Sequence, residues 1–330
     1  MEKATAYYTP FPRMRHYKAA MIRFRKSIIP SSIAPALRVP LVLAVIWTAD
    51  LAWAAWAGIA VLQLGMLAGT VLILLGNVWL YRRITGGERA FELALGITVF
   101  FSLGLGFTLL SYLVLTLHLP LADRWLAAVD EALGFDWPAW NRFVHNHTLF
   151  HTLLVAAYRS LGVQMLITLF ALPLSGMVRR NREFLTATGI SLLLTVTIAA
   201  LLPAESAWVW YKSGEPVAPG PLADFLAMRR GGAVAVDLRD LRGIVTFPSF
   251  HVVMAVLLAW ASRGTRFSLL SLVINGLMIV ATPTEGGHYL IDGIAGLAIA
   301  AVSIAGAQRL LGPAPTGRVA SAYGDTAMRG

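Results

Sequence analysis

Long apolar runs separated by short basic segments dominate the chain, and their lengths predict membrane helices. The first run, from Val39 to about Tyr81, is nearly unbroken. It is too long for one span at the usual ~20 residues, so it is read as two spans turning near Trp56-Ala57-Gly58, with Trp53 and Trp56 suited to an interfacial aromatic belt. Further spans are predicted at about 91–117, 152–178, 184–202, 248–262, 267–282 and 288–308. Backbone polar groups in lipid must be satisfied within their own segment, which makes each run a helix. The expected fold class is all-α: a polytopic membrane helix bundle of about eight transmembrane helices.

The polar stretches divide this bundle. Residues 1–38 form a basic tail in which Met21, Ile22 and Phe24 are interleaved with arginines, a composition suited to an interfacial helix. Residues 39–151 hold the N-terminal membrane helices and an outer amphipathic segment, because apolar and polar residues alternate from Leu121 to Leu133 as in a helix lying on a membrane surface. Residues 152–310 form the expected catalytic membrane core, and 311–330 a small-residue tail expected to be disordered. The basic, polar start predicts that no signal segment is cleaved.

Composition sharpens the class. Hydrophobic residues make up 57% of the chain and charged ones 13%, and mean hydropathy is +0.68, far more apolar surface than a soluble core of this size uses. The formal net charge of +10 has its origin in topology. Nineteen Lys and Arg fall on the tail and the alternate short loops, against seven in the two long loops at 118–151 and 203–247. The positive-inside rule then places both termini in the cytoplasm, and the excess basic charge serves insertion; no nucleic-acid partner is expected. With no cysteine, disulfides and thiolate metal sites are excluded.

Two runs near the end carry the candidate chemistry: Phe247-Pro248-Ser249-Phe250-His251 and Gly286-Gly287-His288-Tyr289-Leu290-Ile291-Asp292. Each opens an apolar run, and a helix start offers unpaired N–H groups and partial positive charge to a phosphate. His288 and Asp292 are four apart and share a helix face, so the carboxylate can hold one imidazole nitrogen while the other acts as a nucleophile. His251 would supply the proton for the departing oxygen. The topology places all three at the extracytoplasmic face of a bacterial inner membrane or plasma membrane.

Pro-Ser-x-His followed by His-x-x-x-Asp resembles the type-2 phosphatidic acid phosphatase superfamily. The form Phe-Pro-Ser-x-His with His-Tyr-x-x-Asp is similar to its inositol phosphorylceramide synthase and sphingomyelin synthase branch. The resemblance implies that His288 is the nucleophile that becomes phosphorylated, that Asp292 supports it and that His251 is acid and base. It also implies a phospholipid or lipid phosphate substrate, no cofactor and no metal. Three positions depart from the phosphatase pattern: Phe250 stands in place of a glycine, Thr282 stands six residues before His288 where an arginine is usual, and Lys212 is not followed by Arg-Pro, since Pro219 and Gly220 stand there. The expected function is therefore a lipid phosphotransferase. The alternatives are a lipid phosphate phosphatase with water as acceptor and a non-enzymatic lipid transporter or binding scaffold.

Further candidates follow from the charge a phosphoryl site must offset. Arg159, an intramembrane charge, and Arg242, the arginine nearest the first motif, are the expected phosphate contacts, ahead of Lys212, Arg229, Arg230 and Arg239. Ser249 is a helix cap and a candidate phosphate contact. Gly287, with Gly286, permits the turn or forms a phosphate nest. Tyr289, inside the second motif, joins the substrate-binding candidates. Asp50 pairs with Arg159 or with a substrate hydroxyl. His145, His147 and His151 have a spacing that a metal can use, or form a wet interfacial loop, the reading preferred here.

Overall fold

The computed structural model describes residues 33–65, 68–70, 72–73, 76, 88–212, 219–231 and 235–312. The expectations for residues 1–32, for 313–330 and for much of the second predicted span lie outside them. Contacts divide the chain into two units, Met1–Thr48 and Ala49–Gly330. The first contributes the opening of helix α1 (Ile33–Trp56), on which Leu43 and Trp47 are buried.

The second unit is helical. In order it holds α2 (Glu88–Leu113), which runs into a 3-10 turn at Val114–Leu117, α3 (Asp123–Ala132), α4 (Trp137–Asn146), α5 (Thr148–Arg159), α6 (Leu161–Leu174) and α7 (Val178–Leu201). A short α8 (Ala207–Trp210), α9 (Pro219–Arg230), α10 (Phe250–Ala261), α11 (Ser268–Glu285) and α12 (Leu290–Leu311) follow. The expected all-α class has one exception. Strands β1 (Ala60–Leu62) and β2 (Ala235–Asp237) pair in parallel, Val61 opposite Val236, because two short loop segments satisfy their backbone groups against each other.

Four helical stretches among the described residues are long and apolar enough to cross a membrane: Arg89–Leu117, Val178–Leu201, Ser268–Glu285 and Leu290–Leu311. The pair α5–α6 makes a fifth if it is one span, bent by 45°. The bend falls at Ser160, whose hydroxyl donates to the Ala157 carbonyl at 2.6 Å and accepts from Gln164 at 2.9 Å. Side chains such as Ile167 on α6 and Leu269 and Leu272 on α11 are more than half exposed, as lipid-facing positions are. The sixth predicted span is shorter than its apolar run. α10 has twelve residues and rises about 18 Å, because Ser249 caps it at one end and the Arg263–Arg266 turn ends it at the other.

α6, α7, α10 and α12 share one core, in which Leu169, Phe184, Met254, Leu257 and Ile299 are buried. Lipid supplies little hydrophobic drive between helices, so close approach through small residues matters. Gly296 of α12 is such a position: a Cβ there would lie 2.7 Å from the Ser249 carbonyl oxygen and 3.0 Å from Val252 Cβ. At the opposite end of α7, Glu183 accepts from Arg179 at 2.9 Å and from Arg263 at 3.2 Å, and Arg182 pairs with Glu92. These ion pairs tie α7 to α2 and to the turn after α10 at the end away from the two motifs.

Candidate active site

Both motifs lie at one end of this core. The Ser249 N–H donates to the Asp292 carbonyl at 3.1 Å, which locks the start of α10 to the first turn of α12. Between α11 and α12 the chain makes a tight turn around Thr282, whose carbonyl accepts from Gly286 N at 3.0 Å and His288 N at 3.3 Å. Gly287 has φ +62°, a conformation for which glycine is suited, and a Cβ there would fall 2.6 Å from Trp208. Gly286 is as tightly enclosed: a Cβ would fall 2.5 Å from His288 Cδ2 and 2.7 Å from the Tyr158 hydroxyl.

His288 Nδ1–H donates to Asp292 Oδ2 at 3.1 Å. The same oxygen accepts the Tyr289 N–H at 3.0 Å, so the carboxylate orients the imidazole and caps its own helix together. With Nδ1 on Asp292, Nε2 is the nitrogen that the carboxylate does not hold. His251 lies in the first turn of α10. Its Nδ1 shares a hydrogen bond with the Tyr158 hydroxyl at 3.2 Å, and the two rings stack at 4.1 Å. Both histidines line one cavity of about 450 Å³, whose polar end also bears Tyr158, Trp208, Glu205 and Glu285. Glu285 accepts from His151 Nε2 at 3.0 Å.

The amphipathic α3–α4 segment, buried on one face, positions the second motif. Asp130 accepts the backbone N–H groups of Leu290 and Ile291 at 2.7 and 2.9 Å, capping α12 from another helix. Burial pushes its carboxyl above the ordinary value, against the pull of those two N–H groups. Asp123 accepts from the Tyr289 hydroxyl at 2.9 Å and from the backbone N–H groups of Glu205 and Ser206. Trp137 Nε1 donates to the carbonyls of Pro283 and His288. Together these contacts fix the turn that carries His288.

Other residues singled out by sequence stand elsewhere. Ser249 is fully buried, its hydroxyl accepting from Val252 N as an N-cap, and it is not on the cavity wall. Gly287 lies beneath Trp208 and is also off the wall. Tyr289 is fully buried on Asp123. Arg242 forms an exposed pair with Asp240 at 2.8 Å, and Arg159 is exposed at the α5–α6 bend; neither lines the cavity. Asp50 is buried with Oδ2 unpartnered and does not pair with Arg159. His145 and His147 donate to the carbonyls of Asn141 and Phe143 in their own helix, and among the described residues no three His, Cys, Asp or Glu side chains form a metal-binding group.

Sequence reasoning overlooked Tyr158, Trp208, Glu205 and the anchoring roles of Asp123, Asp130 and Trp137. One signal was available: Asp123 and Asp130 are seven apart, so an amphipathic helix must turn both to the same face.

No curated protein and no solved structure matches the chain. A family model does, over residues 124–306, which include all but the first residue of α3, both histidine motifs and most of α12. The family's members are phosphatases or phosphotransferases acting on lipid-like phosphates. Since that match takes in more than half of the sequence, this membrane-embedded enzyme belongs to the PAP2 superfamily.

Proposed function

We propose that the chain is a lipid phosphotransferase, moving a phosphoryl-containing head group from one lipid to the hydroxyl of an acceptor through a covalent intermediate on His288. The observation that carries this reading is the Asp292–His288 pair on the wall of the cavity that His251 shares. In the first half, His288 Nε2 bonds to phosphorus, the bond from phosphorus to the leaving oxygen breaks, and His251 gives that oxygen a proton. In the second, His251 takes the proton of the acceptor hydroxyl, whose oxygen bonds to phosphorus as the P–Nε2 bond breaks. Asp292 keeps the Nδ1 proton in place and stabilises the positive imidazole ring that phosphorylation creates.

Charge favours a diester donor over a phosphate monoester. The polar end of the cavity carries Glu205 and Glu285, and among the described residues no Lys or Arg lines it. A monoester brings about two negative charges to those carboxylates and a diester one, so repulsion is roughly halved. His-Tyr-x-x-Asp, read here as His288 to Asp292, supports the sphingolipid-synthase-like branch in the same sense. Seven of the eight predicted spans coincide with helices among the described residues. With the positive-inside count, they support eight spans, cytoplasmic termini and a site facing outward. α10, about 18 Å long, falls short of a ~30 Å hydrocarbon core, which supports a site recessed below the head groups, where lipid tails stay in the bilayer.

Purified protein incubated with head-group-labelled phospholipid and candidate alcohols tests the reading. Transfer of label to an alcohol is expected. Release of the labelled phospho-head group to water alone, with no alcohol product, would replace it with the reading in which water is the acceptor.

A further inference from the structure

Five residues of α2 that line the cavity, Phe100, Gly104, Phe107, Thr108 and Ser111, recur at helical spacing and so form one face of that helix. From Ser111 to Phe100 this face runs about 17 Å at 1.5 Å per residue. Its direction is fixed at both ends. Next to Ser111, the Tyr112 hydroxyl accepts the Arg242 N–H at 3.3 Å, just before the first motif. Beyond Phe100, Glu92 pairs with Arg182 at the end away from the motifs. The cavity thus continues from the histidines into an arm along α2, completed by Thr188 and Leu192 of α7 and Met165 of α6. Both α2 and α7 are long and apolar enough to cross a membrane, so the arm lies at hydrocarbon depth.

The arm offers no free polar group. Thr108 donates to Gly104 O at 2.7 Å, Ser111 to Thr108 O at 2.6 Å and Thr188 to Phe184 O at 2.9 Å, and the Thr195 oxygen is buried out of reach. Gly104 stands in the middle of the α2 face. A Cβ there would meet no atom of the described residues within 4 Å outside its own stretch of helix, whereas a Cβ at Gly96 would fall 3.2 Å from Asn181 Nδ2. Glycine weakens a helix interior relative to alanine. Close packing of α2 on α7 accounts for it at Gly96 and not at Gly104. What the missing side chain leaves is room in the cavity. An empty apolar space forfeits dispersion contacts, and a polar occupant would lose hydrogen bonds that this wall does not replace. A hydrocarbon chain does neither.

We propose that Gly104 determines which lipids the cavity admits: the arm holds a hydrocarbon chain of the substrate, and the absent side chain is the space through which that chain passes toward Phe100. That the head of this lipid meets the histidines rests on the function proposed above. The seat itself does not require turnover.

Alkyl(methyl)phosphinates test this, because they carry one negative charge, as a diester does, and have no leaving oxygen to transfer. A hexyl chain extends about 6 Å and a hexadecyl chain about 18 Å at roughly 1.2 Å per bond, the advance of an extended backbone. Gly104 lies about 10 Å below Ser111 along α2, so only the longer chain passes it. Binding of the radiolabelled ligands to protein in lipid nanodiscs, corrected for empty nanodiscs, gives the affinities. Gly104→Phe should weaken the hexadecyl ligand by at least about fivefold, the low end of the effect of overpacking, and leave the hexyl ligand within about twofold. Gly104→Leu, a smaller addition, should show the same selective loss and serves if the Phe variant does not fold. A loss shared equally by both ligands, no loss of the hexadecyl ligand, or a wild type that binds neither would overturn the inference. Absent head-group transfer with this discrimination intact would count against the transferase reading alone.

Discussion

Removing the Asp130 carboxylate tests whether the turn that carries His288 is held by a helix outside the two motifs. Asp130 is fully buried and accepts the first two N–H groups of α12, from Leu290 and Ile291. In Asp130→Ala both donors, which are partly buried, lose their partner. At roughly 1–3 kcal/mol for each buried unsatisfied group, the loss is about 2–6 kcal/mol. Asp130→Asn keeps one accepting oxygen and should lose about half as much. Either is a large part of a total stability on the order of 5–15 kcal/mol. Thermal unfolding of the purified variants in detergent, followed by circular dichroism, reads the order wild type, then Asn, then Ala.

The pH dependence has a definite sign. Burial raises the Asp130 carboxyl above its unfolded value, so the folded protein holds this proton more tightly than the unfolded chain does. Its contribution is greatest below the unfolded value and is lost as pH rises through the folded one. The margin of wild type over Asp130→Asn should therefore widen as pH falls toward 4. An Asp130→Ala protein melting within a degree of wild type would refute the capping argument, and a margin that narrows with acid would show that the two N–H groups outweigh burial in setting the carboxyl.

Other perturbations act on the chemistry directly. Asp292→Asn removes the acceptor that fixes the His288 tautomer and should lower kcat by about 10²–10⁴-fold in a head-group transfer assay, by analogy with the orienting aspartate of a hydrolase triad. Gly286→Ala should abolish turnover while the protein still inserts and purifies, because its Cβ would fall 2.5 Å from His288 Cδ2. Tyr158→Phe keeps the ring stacked on His251 but loses the 3.2 Å hydrogen bond, so kcat should fall by about 5–10-fold, the worth of roughly 1 kcal/mol. Arg242→Gln, which breaks only an exposed pair with Asp240, should leave kcat/KM within about twofold, as surface pairs contribute little.

The residues of the candidate site were more legible in the sequence than the groups that hold them. His288 and Asp292 are four residues apart, and helical periodicity alone turns them to one face. His251 and Ser249 sit where an apolar run begins, which marks a helix start. Asp123, Asp130 and Trp137 act on the site across 166, 160 and 151 residues of sequence, distances at which local pattern carries no signal. Tyr158 was hidden for another reason: aromatic residues in an apolar run read as packing until the partner ring is known. The expectation for Arg159 and Arg242 came from the charge a phosphate requires, yet side-chain direction and a nearby Asp240 take both away from the cavity wall.

The proposed transfer depends on a covalent bond between His288 and phosphorus. Purified protein mixed with phosphorus-labelled donor lipid and quenched within the first turnover measures it directly, with peptide mapping to locate the label. Acid-labile, alkali-stable label is expected on the peptide containing His288, present in wild type and absent from His288→Ala. Turnover by the wild type with no trapped label, or label retained after His288 is removed, would contradict it.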